Sequence, residues 1–185
     1  MGVRHNRHFI EANTKPVDIA HLKNDCVVPV FSKDNEVTIS HQSFIETVLG
    51  AAHRMFPQEV IDAPDIVVSH IIKGRIPEAI HYERMAFCFE IPTVYEEVAG
   101  NRLNLSIGGV RAYNHENLYS KKTVEKFKVF IGFKNLVCCN LCVSTDGFKS
   151  ELWVMGVQDL FDATLRLFRE YDAEHHVKRM AAMQE

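Results

Sequence analysis

The sequence predicts an α+β fold, in which a mainly antiparallel twisted sheet carries two main helices packed on it. Runs that alternate apolar and polar residues, as strands do, fill the middle of the chain from Ile66 to Met155. The turn sequences Ala99-Gly100-Asn101 and Asp146-Gly147 predict hairpins within that region. Helical spacing, with apolar residues every three or four positions, occurs before and after it. Strands grouped between helices in this way favour α+β over an alternating α/β fold.

The helices are predicted from their end signals and apolar stripes. Residues Ser43–Glu46 read Ser-Phe-Ile-Glu, which has the form of a capping box and predicts a helix start there. The apolar spacing continues to Phe56, and Pro57 predicts the stop. A second amphipathic helix is predicted at Asp159–Tyr171, and a short helical turn at Asp18–Lys23.

The strands are predicted from period-two runs bounded by turn residues. The predicted strands are Cys26–Phe31 at a sheet edge because of Pro29, Ile66–Lys73, Arg84–Ile91, Leu103–Tyr113, Phe127–Phe133, Asn135–Val143 and Ser150–Met155. The glycine pair Gly108-Gly109 predicts a bulge or a close backbone approach.

Composition and charge indicate one ordinary globular domain. The chain has 185 residues, of which 46% are hydrophobic and 24% charged, and its net charge is −3. Residues 1–16 are polar and histidine-rich and are predicted to form a flexible arm, followed by a single domain at 17–185. No apolar stretch approaches the roughly 20 residues that span a bilayer, and no signal peptide is visible. We therefore expect a cytoplasmic protein without membrane association.

Three of the five cysteines form a dense cluster, Cys138, Cys139 and Cys142. If Asn135–Val143 is one strand, Cys138 and Cys142 lie about 13 Å apart, since each residue advances roughly 3.3 Å. Two thiolates on one zinc ion lie only about 4 Å apart, so a strand excludes a shared metal. A helix or a tight knuckle permits it. The strand interpretation is favoured, and it predicts packed, reduced cysteines, no metal and no cofactor.

A basic segment is the second feature with chemical meaning. Residues 101–134 contain seven basic and two acidic residues, a local net charge of +5 that leaves −8 elsewhere. Aromatic residues interleave with these charges, as in grooves that hold single-stranded nucleic acid by charge neutralisation and base stacking. The candidate nucleic-acid-binding residues are Arg102, Arg111, Tyr113, Tyr119, Lys121, Lys122, Lys126 and Lys128. The alternative is a solvated sheet edge whose lysines discourage aggregation.

The loop after the double glycine gathers hydrogen-bonding groups. Asn114, His115 and Glu116 are the candidate ligand residues, and the last two would form an acid–base pair if the loop bends. Adjacent residues on an extended segment point apart, and turn chemistry explains the asparagine equally well. An enzyme with a site at residues 111–122 is therefore a third hypothesis.

Several stretches carry a resemblance to a known family. They include "VSHIIKGRIPEAIH", "YERMAFCFEIPTVYEEVAGNRLNLSIGGVRAYNHENLYSKK" and "EKFKVFIGFKNLVCCNLCVSTDG". Over nearly the whole chain these resemble a bacterial family known as domain of unknown function 3871. The resemblance implies association with gut bacteria and mobile elements, and a distant similarity to phage- and plasmid-encoded proteins through the strand Val137–Asn140. It also implies further C-terminal helices in relatives and an extra loop between His81 and Tyr82.

Taken together, these features favour a non-enzymatic accessory or interaction protein of a bacterial mobile element. It is expected to act through a protein partner or self-association. The alternatives are a single-strand nucleic-acid-binding module using the basic segment, and an enzyme with a site at residues 111–122.

Overall fold

In a computed structural model, the chain is described at residues 8–9, 14–24, 39–69, 84–112, 124–138 and 142–184. Within these residues there are eight strands and three helices. They are β1 Thr14–Val17, α1 Ile19–Asn24, α2 His41–Met55, β2 Asp65–Ser69, β3 Arg84–Val98, β4 Asn101–Ala112, β5 Glu125–Gly132, β6 Asn135–Val137, β7 Val143–Thr145, β8 Phe148–Val154 and α3 Val157–Met183. The predicted edge strand Cys26–Phe31 lies outside the described residues.

The main sheet has six antiparallel strands in the order β1-β2-β3-β4-β5-β8. Helices α2 and α3 pack on one of its faces, which confirms the predicted α+β class. The alternation is also confirmed, because Ile66 and Val68 belong to this main core while Val67 packs against a smaller cluster. Side chains at alternate positions of this strand therefore pack into two separate hydrophobic clusters, one on each face of the sheet.

Aromatic packing under α2 holds the helix on the sheet. The Phe44 ring lies edge-on to Phe87 at 5.1 Å between centroids, and 4.6 Å from Phe127. All three side chains are fully buried. Edge-to-face geometry suits the ring quadrupoles and adds about 0.5–1.5 kcal/mol per pair to the hydrophobic gain.

Helix α2 begins earlier than the capping box predicts. Its N-cap is Ser40, whose hydroxyl accepts the amide of Ser43 at 3.0 Å, and the helix begins at His41. Ser43 is therefore inside the first turn, and the predicted start there is wrong. The sequence contains two serines three residues apart, and the one used as the cap, Ser40, follows the buried Ile39.

The glycine pair on β4 makes a close approach and no bulge. A Cβ atom at Gly108 would lie 2.2 Å from the Phe87 carbonyl oxygen, and one at Gly109 would lie 2.5 Å from Phe44 Cζ. The register between β3 and β4 is continuous there and shifts between Ile91 and Tyr95 instead. That irregularity accommodates Pro92, which the sequence predicted to end the strand or to place it on a sheet edge. Strand β3 continues through Pro92, beyond the part of it that pairs with β2.

The predicted strand Asn135–Val143 is wrong, because the chain reverses within it. Strand β6 ends at Val137 and pairs with β7 through Val143. Strand β8 returns to the main sheet beside β5, so the hairpin Asn135–Thr145 is an insertion between two paired strands. The Asp146-Gly147 turn thus joins strands of different sheets, whereas the sequence predicted a hairpin. We call residues 135–145 the inserted hairpin.

The inserted hairpin covers part of the second face of the main sheet. Val137 and Val143 pack there on a small buried cluster with Ala86, Cys88 and Val110. Alternation along short strands sends Leu136 and Ser144, which are exposed, to the opposite side. The hairpin thus has an apolar face toward the sheet and an outer face toward solvent.

Two parts of the predicted N-terminal arm contact this framework. The backbone amide of Val137 donates to the His8 carbonyl at 2.8 Å, and Phe9 forms a parallel bridge with Val137. Thr14–Val17 is the edge strand β1. These segments belong to the folded domain, and the rest of residues 1–16 lies outside the described part of the chain.

Candidate functional site

The described basic residues do not form one continuous patch. The Arg102 guanidinium lies over the Tyr95 ring at 3.7 Å from its centroid and donates to the Pro92 carbonyl. Lys128 pairs with Val110, eight residues further along β4 than Arg102, a distance of about 27 Å at roughly 3.4 Å per residue. Arg102 is thus at the opposite end of the strand from Lys126 and Lys128.

Arg111 is a buried structural cation. Its side chain is only 2% exposed, donates to the Glu125 carboxylate at 2.5 Å and to the Ile39 carbonyl, and lies over the Phe127 ring. Glu125 in turn accepts the Ile39 amide at 3.1 Å. Burial raises the pKa of Glu125, and the attraction of Arg111 opposes that shift. The guanidinium therefore links β4 and β5 to the segment that precedes α2, and it is shielded from solvent.

The remaining predicted site residues fall outside the described part of the chain. They are Tyr113, Asn114, His115, Glu116, Tyr119, Lys121 and Lys122. The acid–base loop and half of the candidate nucleic-acid residues therefore stay predictions.

Trp153 is a surface residue that the sequence analysis did not single out. It is 62% exposed on β8, and the Lys126 ammonium lies 5.5 Å from the ring centroid. Lys126 also pairs with Glu151 at 3.2 Å. Its neighbours Leu152 and Val154 are buried against the helices. Because side chains alternate along a strand, Trp153 lies on the outer face, and this alternation is the sequence signal for its exposure.

The cysteine cluster has a different geometry from the predicted one. The Cys138 amide donates to the Cys142 carbonyl at 3.0 Å, and the Cys142 amide donates to Cys138 Sγ at 3.3 Å. These two residues therefore face each other across the inserted hairpin, where one strand would separate them by about 13 Å. Cys142 is exposed and Cys138 half-buried, so the predicted packing of these thiols in the interior is wrong. Cys139 lies outside the described residues.

Metal chemistry finds no support in the described residues. No group of three or more histidine, cysteine or acidic side chains lies close enough there to hold a metal ion. Two cysteines alone leave a tetrahedral ion short of ligands. The dithiol is instead a candidate for thiol chemistry.

A polar cluster joins the N-terminal segment to the second face of the sheet. His8 Nε2 lies 2.9 Å from Glu90 Oε1, and the Asn104 amide donates to Glu90 Oε2 at 3.0 Å. Burial alone would lower the pKa of His8, but hydrogen bonds to Cys88 and Glu90, together with electrostatic attraction, raise it to about 10. The imidazolium is therefore charged at neutral pH and forms an ion pair that fixes the segment.

An open cleft of about 280 Å³ adjoins that cluster. Its lining is His8, Leu103, Phe133, Lys134, Asn135, Leu136 and Ser144. The buried Asn135 side chain there is fully used: its amide donates to the Gly132 carbonyl at 2.9 Å and to Ser106 Oγ at 2.7 Å, and its oxygen accepts from Thr145. These bonds hold the base of the inserted hairpin. The Asn135 side chain in the cleft therefore stabilises the fold and is not offered to a ligand.

The C-terminal end of α3 is exposed and extends past the part of the helix that packs on the sheet. The last buried residue of the helix is Tyr171, and His175 makes the last packing contacts, with Phe133 and Glu96. Residues 176–183 are exposed on all sides. We call this two-turn segment the α3 tail. The predicted second helix ends at Tyr171, although apolar residues recur three apart at Val177, Met180 and Met183.

Three large apolar side chains lie on the α3 tail. Val177 is 65% exposed, Met180 52% and Met183 87%. Ala173 lies one turn before them on the same face, because residues four apart align on a helix. An isolated exposed apolar residue needs no explanation, but a contiguous set on one element is typical of an interaction site.

These observations define a small α+β protein with an open antiparallel sheet, a cysteine pair at a hairpin end and a helix tail with three exposed apolar residues. The sequence model of one family, described as "Domain of unknown function, B. Theta Gene description (DUF3871)", matches residues 2–185. The chain belongs to this family. No curated protein and no solved structure matches it. None of the helices in the described residues is long and apolar enough to cross a membrane.

Proposed function

We propose that the chain is a non-enzymatic interaction protein with an accessory role in a bacterial mobile element, and that it binds a second copy of itself. The observation that carries the proposal is the α3 tail, with Val177, Met180 and Met183 exposed in consecutive turns. Burying a side chain of this size contributes about 1.5–3 kcal/mol. Helix pairing is the simplest way to bury all three.

The charges around the α3 tail support a second copy as the partner. Within residues 172–183 the acidic Asp172 and Glu174 precede the basic Lys178 and Arg179, and Glu174 also pairs with Lys178 inside the helix at 2.6 Å. In an antiparallel pair the acidic half of one helix lies opposite the basic half of the other, whereas a parallel pair places like charges together. A symmetric antiparallel contact is the isologous arrangement of most homodimers.

The length of the contact sets its strength. Twelve residues from Asp172 to Met183 extend about 18 Å at 1.5 Å per residue. Two helices of that length bury less area than the roughly 1,200 Å² at which stable interfaces begin. The expected dimer is therefore weak and reversible.

Sedimentation velocity over a concentration series up to about 1 mM tests the proposal. We expect the weight-average sedimentation coefficient of the native chain to rise with concentration from a monomer value toward a dimer value. The double variant Val177→Glu, Met180→Glu should stay monomeric, because it places four carboxylates in the contact. Val60→Glu is the matched control, since Val60 is 55% exposed outside the tail, and it should associate as the native chain does.

The charge arrangement gives a second result that separates the two orientations. Lys178→Glu with Arg179→Glu should weaken an antiparallel dimer, since both helix halves become acidic. In a parallel pair the same change replaces repulsion between basic residues by repulsion between acidic residues, and the association should stay about the same. A native chain that stays monomeric throughout, or a tail double variant that associates as well as the native chain, would contradict the proposal.

Nucleic-acid binding is the second candidate, and Trp153 favours it. An exposed indole beside Lys126, with Lys128 on the same strand face, has the elements of a stacking platform next to cations. Base stacking contributes about 1–3 kcal/mol, so Trp153→Ala should weaken binding to a single-stranded oligonucleotide about tenfold at low salt. Affinity should also fall steeply as salt increases. Absence of binding at low salt would exclude this candidate.

A further inference from the structure

Cys138 and Cys142 form a directly opposed pair at the end of the inserted hairpin. The last ladder pair is Val137 with Val143, so the next pair along the hairpin is Cys138 with Cys142, and one backbone hydrogen bond of 3.0 Å, from the Cys138 amide to the Cys142 carbonyl, joins them. Opposed residues of antiparallel strands have Cα atoms about 4.5–5.5 Å apart. Disulfides need a Cα separation of roughly 4.4–6.8 Å, so the backbone already suits one.

The side chains of this pair are on the outer face of the hairpin. Val137 and Val143 point to the buried cluster, so the alternation sends both cysteines the other way, and Cys142 is exposed. A hydrogen bond between the two thiols raises the pKa of Cys142, while the nearby ammonium groups of Lys128 and Lys149 act to lower it. The Cys142 amide lies 3.3 Å from Cys138 Sγ, so the two residues are close together, and Cys142 is open to a reagent from solvent.

We propose that Cys138 and Cys142 are a redox modification site that a small disulfide of the glutathione class converts to an intramolecular disulfide. The lysines beside the pair complement the carboxylates of such a reagent. Cys88 is buried in the cluster beneath and is not accessible to it. The site is independent of self-association through the α3 tail.

The reaction proceeds by two thiol–disulfide exchanges. The thiolate of one cysteine attacks a sulfur of oxidised glutathione, which forms a mixed disulfide and releases one glutathione thiolate. The second cysteine, as its thiolate, displaces the remaining glutathione and closes the Cys138–Cys142 bond. In total the two protein thiols are oxidised, each losing one proton and one electron, and one oxidised glutathione is reduced to two glutathione molecules. Exposed disulfides of this kind are readily reduced, so excess thiol should reverse the change.

Intact-mass spectrometry of the native chain, incubated with oxidised glutathione and then quenched by alkylation, tests the proposal. We expect a product that has lost two hydrogens, is blocked toward alkylation at two thiols, and is restored by dithiothreitol. Cys139→Ser should give the same product. Cys138→Ser and Cys142→Ser should lose it completely and retain one glutathione as a mixed disulfide. Fragmentation of peptide 135–149 from the native chain should place the bond between residues 138 and 142.

Three results would overturn the assignment. The first is a native chain that never loses the two hydrogens. The second is a disulfide bond to Cys139 in the peptide from the native chain. This result does not depend on whether any variant folds. The third is a Cys142→Ser chain that forms an internal disulfide as readily as the native chain.

Discussion

Replacing Arg111 by methionine is expected to lower the free energy of unfolding by about 3–5 kcal/mol. The guanidinium is almost fully buried and is the partner of the Glu125 carboxylate and the Ile39 carbonyl. Its loss leaves a buried carboxylate and a carbonyl without their donor, which costs more than the pair itself contributes. Urea unfolding of both proteins at pH 7 measures the difference.

The pH dependence of that difference has a definite sign. The folded-state pKa of Glu125 is raised above its ordinary 4.5, so its contribution to stability is present below that pH and is lost as pH rises through the folded value. Without Arg111 the pKa of Glu125 rises further, so the protein continues to lose stability up to a higher pH. The gap between the native chain and the Arg111→Met variant should therefore widen from pH 4.5 upward.

A matched control and a double variant make the Arg111 prediction specific. Lys126 is on the neighbouring strand β5 and pairs with Glu151 at the surface, so Lys126→Met should cost less than about 1 kcal/mol. Combining Arg111→Met with Glu125→Leu removes both charges and should recover part of the loss. An Arg111→Met chain within about 0.5 kcal/mol of the native chain would show that the pair is not buried as described.

Gly108→Ala is expected to cost about 3 kcal/mol or more, because the new methyl group has no space. Its Cβ would lie 2.2 Å from the Phe87 carbonyl oxygen and 2.5 Å from Phe130 Cζ. The first is backbone of the neighbouring strand and the second a fully buried ring, so neither can move without opening the sheet. Thermal and urea unfolding measure the loss.

Gly50→Ala is the control for the Gly108 substitution. Gly50 is in α2, where an added Cβ meets only Phe161 Cε2 at 3.8 Å. Alanine has a higher helix propensity than glycine, so this change should stabilise the protein by about 0.5–1 kcal/mol. If Gly108→Ala left stability unchanged, the close approach of β3, β4 and β5 at that position would be wrong.

The sequence predicts the fold class and most strands because each of them follows a local rule. The alternation at Ile66–Val68 places those residues in the core, and the Ala99-Gly100 turn supplies the two positive φ angles that a tight hairpin needs. Local rules fail where two signals compete. Both Ser40 and Ser43 are good caps by residue type, and the helix uses Ser40, which follows the buried Ile39.

The candidate site is harder to predict because it depends on contacts between distant residues. The apolar run through Cys138–Cys142 fits a strand by period, and the chain reverses there because Val137 and Val143 together cover a cluster on the sheet. Arg111 belongs by composition to a basic segment, yet its partners Ile39 and Glu125 are 72 and 14 residues away. No pattern within the segment distinguishes a buried arginine from an exposed one.

Dilution of the ¹⁵N-labelled chain, followed by two-dimensional NMR, tests self-association through the α3 tail most directly. We predict that the amide shifts that change with concentration cluster at residues 172–183 and that the sheet amides keep theirs. Shifts that do not change over the whole range, or changes confined to the exposed edge of β8, would contradict the account.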